Sequence, residues 1–284
     1  MPGHLTSWHS LWHVKLIQLY GRIWFCLVRP RVDMRPAPPL RSTHCRAWVK
    51  PAARRVSLVG PERFCFLNDT HDLAAGGWDD PALEKLWRYN LHYFDDLNAQ
   101  DADARTEWHR VLLSRWVQEN PSGIGTGWEP YPTSLRIVNW IKWALGGHAL
   151  PPECVESLAV QTRWLSQRLE IHLLGNHLFA NAKALVFAGV FFEGPEAEGW
   201  LEKGLRILER EVQEQMLSDG GHFERSPMYH ALALEDMLDL INFAAISSET
   251  MPSRWRSFAD SWLETVGRMR IWLAAMCHPD GEIS

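Results

Sequence analysis

No pair of cysteines in this sequence is spaced as C-x-x-C. The five present, Cys26, Cys45, Cys65, Cys154 and Cys277, are scattered. That spacing argues against a disulfide scaffold and against a thiolate zinc site, so the thiols read as small apolar residues and no metal or cofactor is expected. There is no G-x-S-x-G, no Gly-rich phosphate loop and no H-E-x-x-H, which removes the usual signatures of serine hydrolases, nucleotide binders and metalloproteases. The chain has no excess of positive charge; its net charge of −5 does not indicate a general nucleic-acid surface. No fixed-period repeat is visible, which disfavours the common helical-repeat families. A membrane span is missing too. The hydrophobic stretch Leu11–Val28 is broken by Lys15, Gln18 and Arg22 and reads as an amphipathic helix. No small-residue cleavage site follows it, so no signal peptide is read, and either a cytoplasmic protein or a misassigned start fits.

What the sequence does have is tryptophan. Sixteen indoles in 284 residues either fill large helical cores or line grooves where flat rings meet sugar faces. Composition does not choose between these uses.

Along the chain, residues 1–75 read as an N-terminal arm. After the first helix, "RPRVDMRPAPPLR" is too rich in proline for a regular element, and residues 45–67 suggest short strands or loops. Residues 76–284 read as a chain of helices. The first starts at Asp79, with an acidic cap and Pro81 in its first turn. Others are expected over Arg105–Glu119, Thr133–Leu145, Pro152 to about Leu173, Ala180–Phe192, Pro195–Met216, Tyr229–Ile246 and Trp255–Met276. Helices that are apolar nearly all round alternate with amphipathic ones. That alternation suggests a two-layered, all-α ring or solenoid of antiparallel hairpins.

Three connections carry more polar groups than packing requires. In "GTGWEPYPTSLR", Trp128, Glu129, Tyr131 and Arg136 gather near one helix start. They are either a capped loop with a Trp lid or an aromatic platform with charged partners for a sugar. In "HLLGNHLFANAKAL", Asn176, His177, Asn181 and Lys183 interrupt an apolar helix. A satisfied core network and the polar lining of a ligand groove both explain them. In "DGGHFERSPMYH", the double glycine breaks a helix, while Ser226 and Pro227 start the next. That leaves His222, Glu224, Arg225, Tyr229 and His230 to ion pairing or to chemistry. Glu129, Glu224, Glu235 and Asp236 are candidates for a two-carboxylate glycosidase.

Together, "GWEPYPTSLRIVNWIKW", "HLLGNHLFANAKAL" and "DGGHFERSPMYHALALEDMLDL" resemble the heparinase II/III family of polysaccharide lyases, over roughly Trp78 to Ser284. "GRIWFCLVRPRVDMRPAPPLR" also resembles the leader of its bacterial members. The resemblance implies an incomplete (α/α) toroid, a C-terminal β-sandwich that lies beyond this chain, a periplasmic location and an acidic polysaccharide as partner. It implies β-elimination at a uronic acid, with Asn176 neutralising the carboxylate and Tyr229 acting as acid and as candidate base. A further family histidine belongs to a later segment, so the chain reads as a truncated half of the enzyme.

The chemistry adds detail. The proton beside a charged carboxylate is very weakly acidic, so hydrogen bonds or charge must stabilise the enolate. The Asn176 amide donates two, and a protonated His177 adds charge. Arg225, four residues before Tyr229, is placed to lower the tyrosine's pKa, and His222 or His230 is an alternative base. The candidate substrate-binding set is Trp128, Glu129, Tyr131, Arg136, Asn181, His222, Glu224, Arg225 and His230. The cleft motifs carry only Arg136, Lys183 and Arg225 as cations, which favours a sparsely sulfated uronate polymer. A glycoside hydrolase on the same scaffold and a non-catalytic polysaccharide-binding protein are the competing readings.

Overall fold

The computed structural model describes residues 16–42, 48–247, 253–281 and 283. Cys45 and the start of the expected first helix lie outside them. The remainder of that helix is α1 (Leu16–Leu27). Gly21 lets it approach the main body closely, since a Cβ there would lie 3.0 Å from the backbone nitrogen of His172. Phe25 packs on the His172 ring at 4.6 Å.

The proline-rich segment after α1 is extended, and it is fastened down rather than free. Ala37 N–H donates to Glu156 at 2.7 Å, Arg163 donates to the Pro36 carbonyl at 2.9 Å, and Arg41 N–H donates to the Phe191 carbonyl at 2.9 Å. The short strands expected next form one antiparallel meander of β1 (Leu58–Gly60), β2 (Arg63–Phe66) and β3 (Asp69–Asp72). The β2–β3 turn places Leu67 and Asn68 at φ 55° and 63°, the left-handed pair that matches strand twist. Glu62 in its first turn pairs with Arg115 at 2.7 Å, and one buried carboxylate gathers the start of the meander onto the helices. Asp96 accepts from Ser57 N–H, Leu58 N–H, Arg105 and His109 at 2.8–2.9 Å. Burial opposes its charge, but those donors prevail and lower its pKa to about 2.

The single turn α2 (Leu73–Gly76) leads to the hairpin of α3 (Lys85–Tyr93) and α4 (Thr106–Glu119). The helix expected from Asp79 starts six residues later. Asp79 does not cap it; its carboxylate takes Arg88 at 2.7 Å and the distant Thr126 N–H at 2.9 Å. Three more hairpins follow: α5 (Pro130–Leu145) with α6 (Pro152–Gln167), α7 (Gly175–Phe191) with α8 (Pro195–Gln215), and α9 (Pro227–Ser247) with α10 (Ser253–Met276). Helix α6 stops before the expected Leu173, and α7 begins five residues before the expected Ala180. This shift puts Asn176 and His177 in a first helical turn.

The hairpins stack in two layers. Helices α3, α5, α7 and α9 contact one another in succession, with α4, α6, α8 and α10 outside them. This is the incomplete (α/α) toroid expected, and the three-stranded meander is the only sheet among the described residues. Helix α7 is enclosed on every side, with Leu178 through Val190 buried without a break. Its contact with α8 is close because of two glycines. A Cβ at Gly204 would meet the Ala182 carbonyl at 2.8 Å, and one at Gly189 would meet Leu201 N at 2.6 Å. Tryptophan serves this core: Trp116, Trp140 and Trp255 are fully buried.

Enclosure leaves polar side chains of the inner layer no water, so they pair. Lys142 on α5 and Lys183 on α7 both donate to the same Asp239 oxygen on α9, at 2.9 and 2.6 Å. Lys183 also reaches Asp236 at 2.7 Å, and Arg54 reaches Glu235 at 3.0 Å. Burial disfavours every charge here. The lysines nonetheless hold Asp239 below the usual carboxylate range, and Asp236 with Asp239 holds Lys183 above the usual ammonium range. Neutralising the shared acceptor leaves Lys142 with Glu235 at 3.8 Å and Lys183 with Asp236, one carboxylate fewer for two buried ammonium groups. Asp239→Asn should therefore cost about 3–5 kcal/mol in urea denaturation at neutral pH; an unchanged midpoint would show that the network contributes no stability.

Candidate active site

The first turns of α5, α7 and α9 come together at one end of the inner layer around a cavity of about 570 Å³. Each start has a local cause. Proline occupies the opening of α5 and α9, where its missing N–H costs nothing. Helix α7 starts differently: Leu174 sits at φ 59° and Gly175 at φ 53°, and no side chain caps the helix. Uncapped N–H groups and the helix dipole make such a start attractive to an anion. A side chain at Gly175 would press on Glu224 Oε1 at 3.3 Å.

Asn176 and His177 on α7, Tyr131 on α5, and Glu224 and Tyr229 at the start of α9 all line this cavity. Sequence reasoning singled out these five, and the fold brings them together. His177 Nδ1 lies 3.2 Å from Glu170 Oε1, and its ring packs at 4.4 Å on Tyr131. Glu129 is at the neighbouring rim, where its carboxylate accepts from Tyr89 Oη and, at 2.9 Å, from Lys85 Nζ.

The other expected substrate contacts are elsewhere. Trp128 is buried and hydrogen-bonded to the Asn120 carbonyl, away from this cavity and at the edge of a neighbouring hollow. Arg136 is fully buried, 3.7 Å over Trp116, and donates to Gln161, the His92 carbonyl and Thr133. Burial holds its pKa well below the usual guanidinium range. Asn181, also fully buried, bonds to both Glu170 and Ser134. It belongs to the satisfied network behind the cavity.

The "DGGHFERSPMYH" segment folds back on itself, with Leu217 N–H on the Gly221 carbonyl and Phe223 N–H on the Gln215 carbonyl. Gly220, at φ 89°, is there because a Cβ would strike the Arg268 backbone at 2.5 Å. Inside this loop His222 bonds to Gln215 at 3.1 Å, and His230 bonds to the Met269 carbonyl at 3.0 Å against Trp272. Both imidazoles are buried and neither lines the cavity. Arg225 is exposed at φ 53° and also lies outside the lining.

Several cleft residues escape the sequence reading: Tyr89, Tyr93, Glu211 and Glu214 line the main cavity, and Glu170 sits behind His177. The tyrosines are four apart in "WRYNLHYF", so a shared helical face was the available signal. Burial first, and nearby carboxylates second, raise the pKa values of Tyr89 and Tyr131; burial does the same for Tyr93. All three stay protonated donors. Glu170 carries no comparable signal, because only the fold brings its carboxylate under His177.

Burial, and then His230, depress the His222 pKa to about 4. Its neutral form is thus favoured by folding, a stability term present above pH 6.5 and lost as pH falls through about 4. NMR titration of the His222 ring should show a midpoint near 4; a midpoint near 6.5 would mean the imidazole is solvated.

Comparison with known proteins fits this arrangement. A family profile described as the heparinase II/III N-terminus matches residues 97–283. A heparin-sulfate lyase of Bacteroides stercoris is 33% identical over 240 residues, which cover 72% of this chain and 34% of that protein. A heparin-sulfate lyase of Pedobacter heparinus is 28% identical over 180 residues, 59% of this chain and 26% of that one. The chain thus spans about a third or less of these relatives' length. The crystal structure of a heparinase III superposes with a TM-score of 0.56 at 19% identity, over 96% of this chain and 45% of that one. This likeness shows the shared helical toroid. On the profile match, the chain belongs to the heparinase II/III family.

Proposed function

We propose that this chain carries the carboxylate-neutralising and proton-donating side of a polysaccharide lyase that cleaves a uronate-containing glycosaminoglycan by β-elimination. The observation that carries the reading is the meeting of Asn176 and Tyr229. They stand 53 residues apart, in the first turns of adjoining inner helices, and line one cavity. The uronate carboxylate docks at the uncapped start of α7, where the Asn176 amide and the backbone N–H groups donate to it. That interaction strengthens as the C5 proton leaves and charge moves onto the carboxylate as an enolate. Tyr229 protonates the departing glycosidic oxygen. Among the cavity's tyrosines it is the most open to solvent, at 38% exposure, which favours it over Tyr89, Tyr93 and Tyr131 for meeting a polymer. His177 keeps Nε2 for the substrate while Nδ1 faces Glu170. It is the only histidine of the main lining among the described residues, so the two buried alternatives, His222 and His230, are set aside as bases.

The competing hydrolase needs two available carboxylates. Glu235 and Asp236 are held by Arg54 and Lys183, and Glu129 by Lys85 and Tyr89. Of the four sequence candidates Glu224 alone lines the cavity, and of the two further glutamates there Glu211 is held by Arg210 and Gln215. Among the described residues the main lining contains Glu211, Glu214 and Glu224 and no Lys or Arg, so the position next to the scissile bond suits a carboxylated sugar better than a densely sulfated one.

In the full-length gene product, turnover of a sparsely sulfated glycosaminoglycan should generate the ultraviolet absorbance of an unsaturated uronate. Tyr229→Phe and Asn176→Ala should each lower kcat about 10²-fold or more while the polymer still binds. Full activity in Tyr229→Phe would sink the assignment. Reducing ends without the chromophore would identify a hydrolase, and binding without turnover in the parent protein would leave a polysaccharide-binding protein.

A further inference from the structure

A second hollow, of about 400 Å³, adjoins the candidate active site and shares Tyr89, Leu173 and His177 with it. Its character is different. Where the main cavity carries glutamates and, among the described residues, no Lys or Arg, this one holds Lys85 at its rim and Arg168 and His172 beside the aromatic side chains of Phe25 and Trp164. Arg168 is unusual in its company. Its Nη1 donates to the Phe25 and Val28 carbonyls at 3.0 and 2.8 Å, and its guanidinium lies 3.8 Å over the Phe25 ring. No carboxylate among the described residues pairs with it. Its charged neighbour is Arg29, which, after burial, lowers its pKa further. His172 is disfavoured as a cation by burial and by Arg22 and Arg168, with Glu170 opposing. The two acids of the hollow are already engaged, Glu129 by Lys85 and Tyr89 and Glu170 by His177 and Asn181.

A guanidinium that is partly desolvated, beside another cation and without a carboxylate partner among the described residues is poorly satisfied on its own. A planar carboxylate or a sulfate supplied from outside would satisfy it, and the guanidinium fork matches both. The aromatic walls beside it suit the apolar face of a sugar ring. The hollow shares Tyr89, Leu173 and His177 with the cavity of Asn176 and Tyr229, so one polymer lying across these residues would meet both.

We infer that the hollow between α1 and the α6–α7 connection is a second saccharide subsite, in which Arg168 binds the carboxylate or sulfate of a sugar at a distance from the bond that is cut. The subsite rests on the proposed lyase reading only for the identity of the polymer. It also gives α1 a function. By supplying Phe25 and the carbonyls that hold Arg168, the N-terminal helix builds one wall of the binding cleft. Together, an acidic wall at one end and a cationic one at the other give the cleft a polarity that orients the substrate.

The test measures binding apart from turnover. Calorimetry with the full-length gene product would use two hexasaccharide probes of alternating uronate and glucosamine, one N-acetylated without sulfate and one N-sulfated. Arg168→Gln should weaken binding about tenfold, and the loss should shrink as salt rises. Arg168→Lys should restore part of the affinity as a point charge. Arg22→Glu, an exposed change that disturbs no packing, should weaken binding about threefold, and guards against misfolding of the Arg168 variants. A loss confined to the sulfated probe identifies a sulfate subsite, and an equal loss for both identifies a carboxylate. Unchanged affinity in both Arg168→Gln and Arg22→Glu overturns the subsite and leaves the catalytic reading intact. Weakened binding alongside a fully active Tyr229→Phe would instead retain the subsite and remove the catalytic assignment.

Discussion

Two ammonium groups sharing one carboxylate hold the inner layer of this toroid in register. Lys142, Lys183 and Asp239 come from three different helices, and those three are the ones whose first turns make the candidate active site. Sliding any one helix past its neighbours by a turn, about 5.4 Å, would leave a buried charge without its partner. Such a loss costs several kcal/mol, which is comparable to the whole stability margin of a domain. The ion network lies about two to three turns below Tyr131, Asn176 and Tyr229, close enough along stiff helices to fix where those side chains emerge. Stability and site geometry therefore share one interaction.

From that base the polar groups sort by depth. The deepest are satisfied in pairs and do not move protons. Above them Asn181 holds Glu170, and Glu170 faces His177, so a ring at the surface is oriented by groups that water does not reach. At the rim, Leu174 and Arg225 adopt left-handed backbone angles that cost non-glycine residues about 1 kcal/mol or more each. One precedes the start of α7 and the other the start of α9, so the strain sits at the two turns that aim Asn176 and Tyr229.

Much of this is legible in the sequence, for identifiable reasons. Helix ends follow from punctuation that acts locally: Gly146-Gly147 closes α5, Pro195 opens α8, and Ser226-Pro227 opens α9. Asp79 misleads because its carboxylate answers to Thr126, 47 residues away, and not to its own helix. In the site, Tyr131, Asn176, His177, Glu224 and Tyr229 stand out as polar side chains at the mouths of apolar helices. Arg136, Asn181 and His230 are just as polar and just as close in sequence. His230 is one position round from Tyr229, while Asn181 and Arg136 lie about one turn deeper than His177 and Tyr131, and in a helix buried all round no periodicity tells the cleft end from the packed interior. Arg168 and Glu170 are invisible for a related reason, since their surroundings are assembled from α1 and α7 rather than from their own segment.

The proline-rich segment after α1 bears on how the domain comes apart. Stacked helical hairpins touch only their neighbours and, left to themselves, open one unit at a time from the ends. Here an extended strap fastens Ala37 to Glu156, a separation of 119 residues, and Arg41 to the far end of α7. Such ties join units that a solenoid would release separately, so the middle hairpins are obliged to open together. Prolines make the strap suited to this, because a segment already stiff when unfolded loses less freedom on being laid down. The chain has converted a stack of semi-independent hairpins into one cooperative body by laying a short proline-rich strap along its outside.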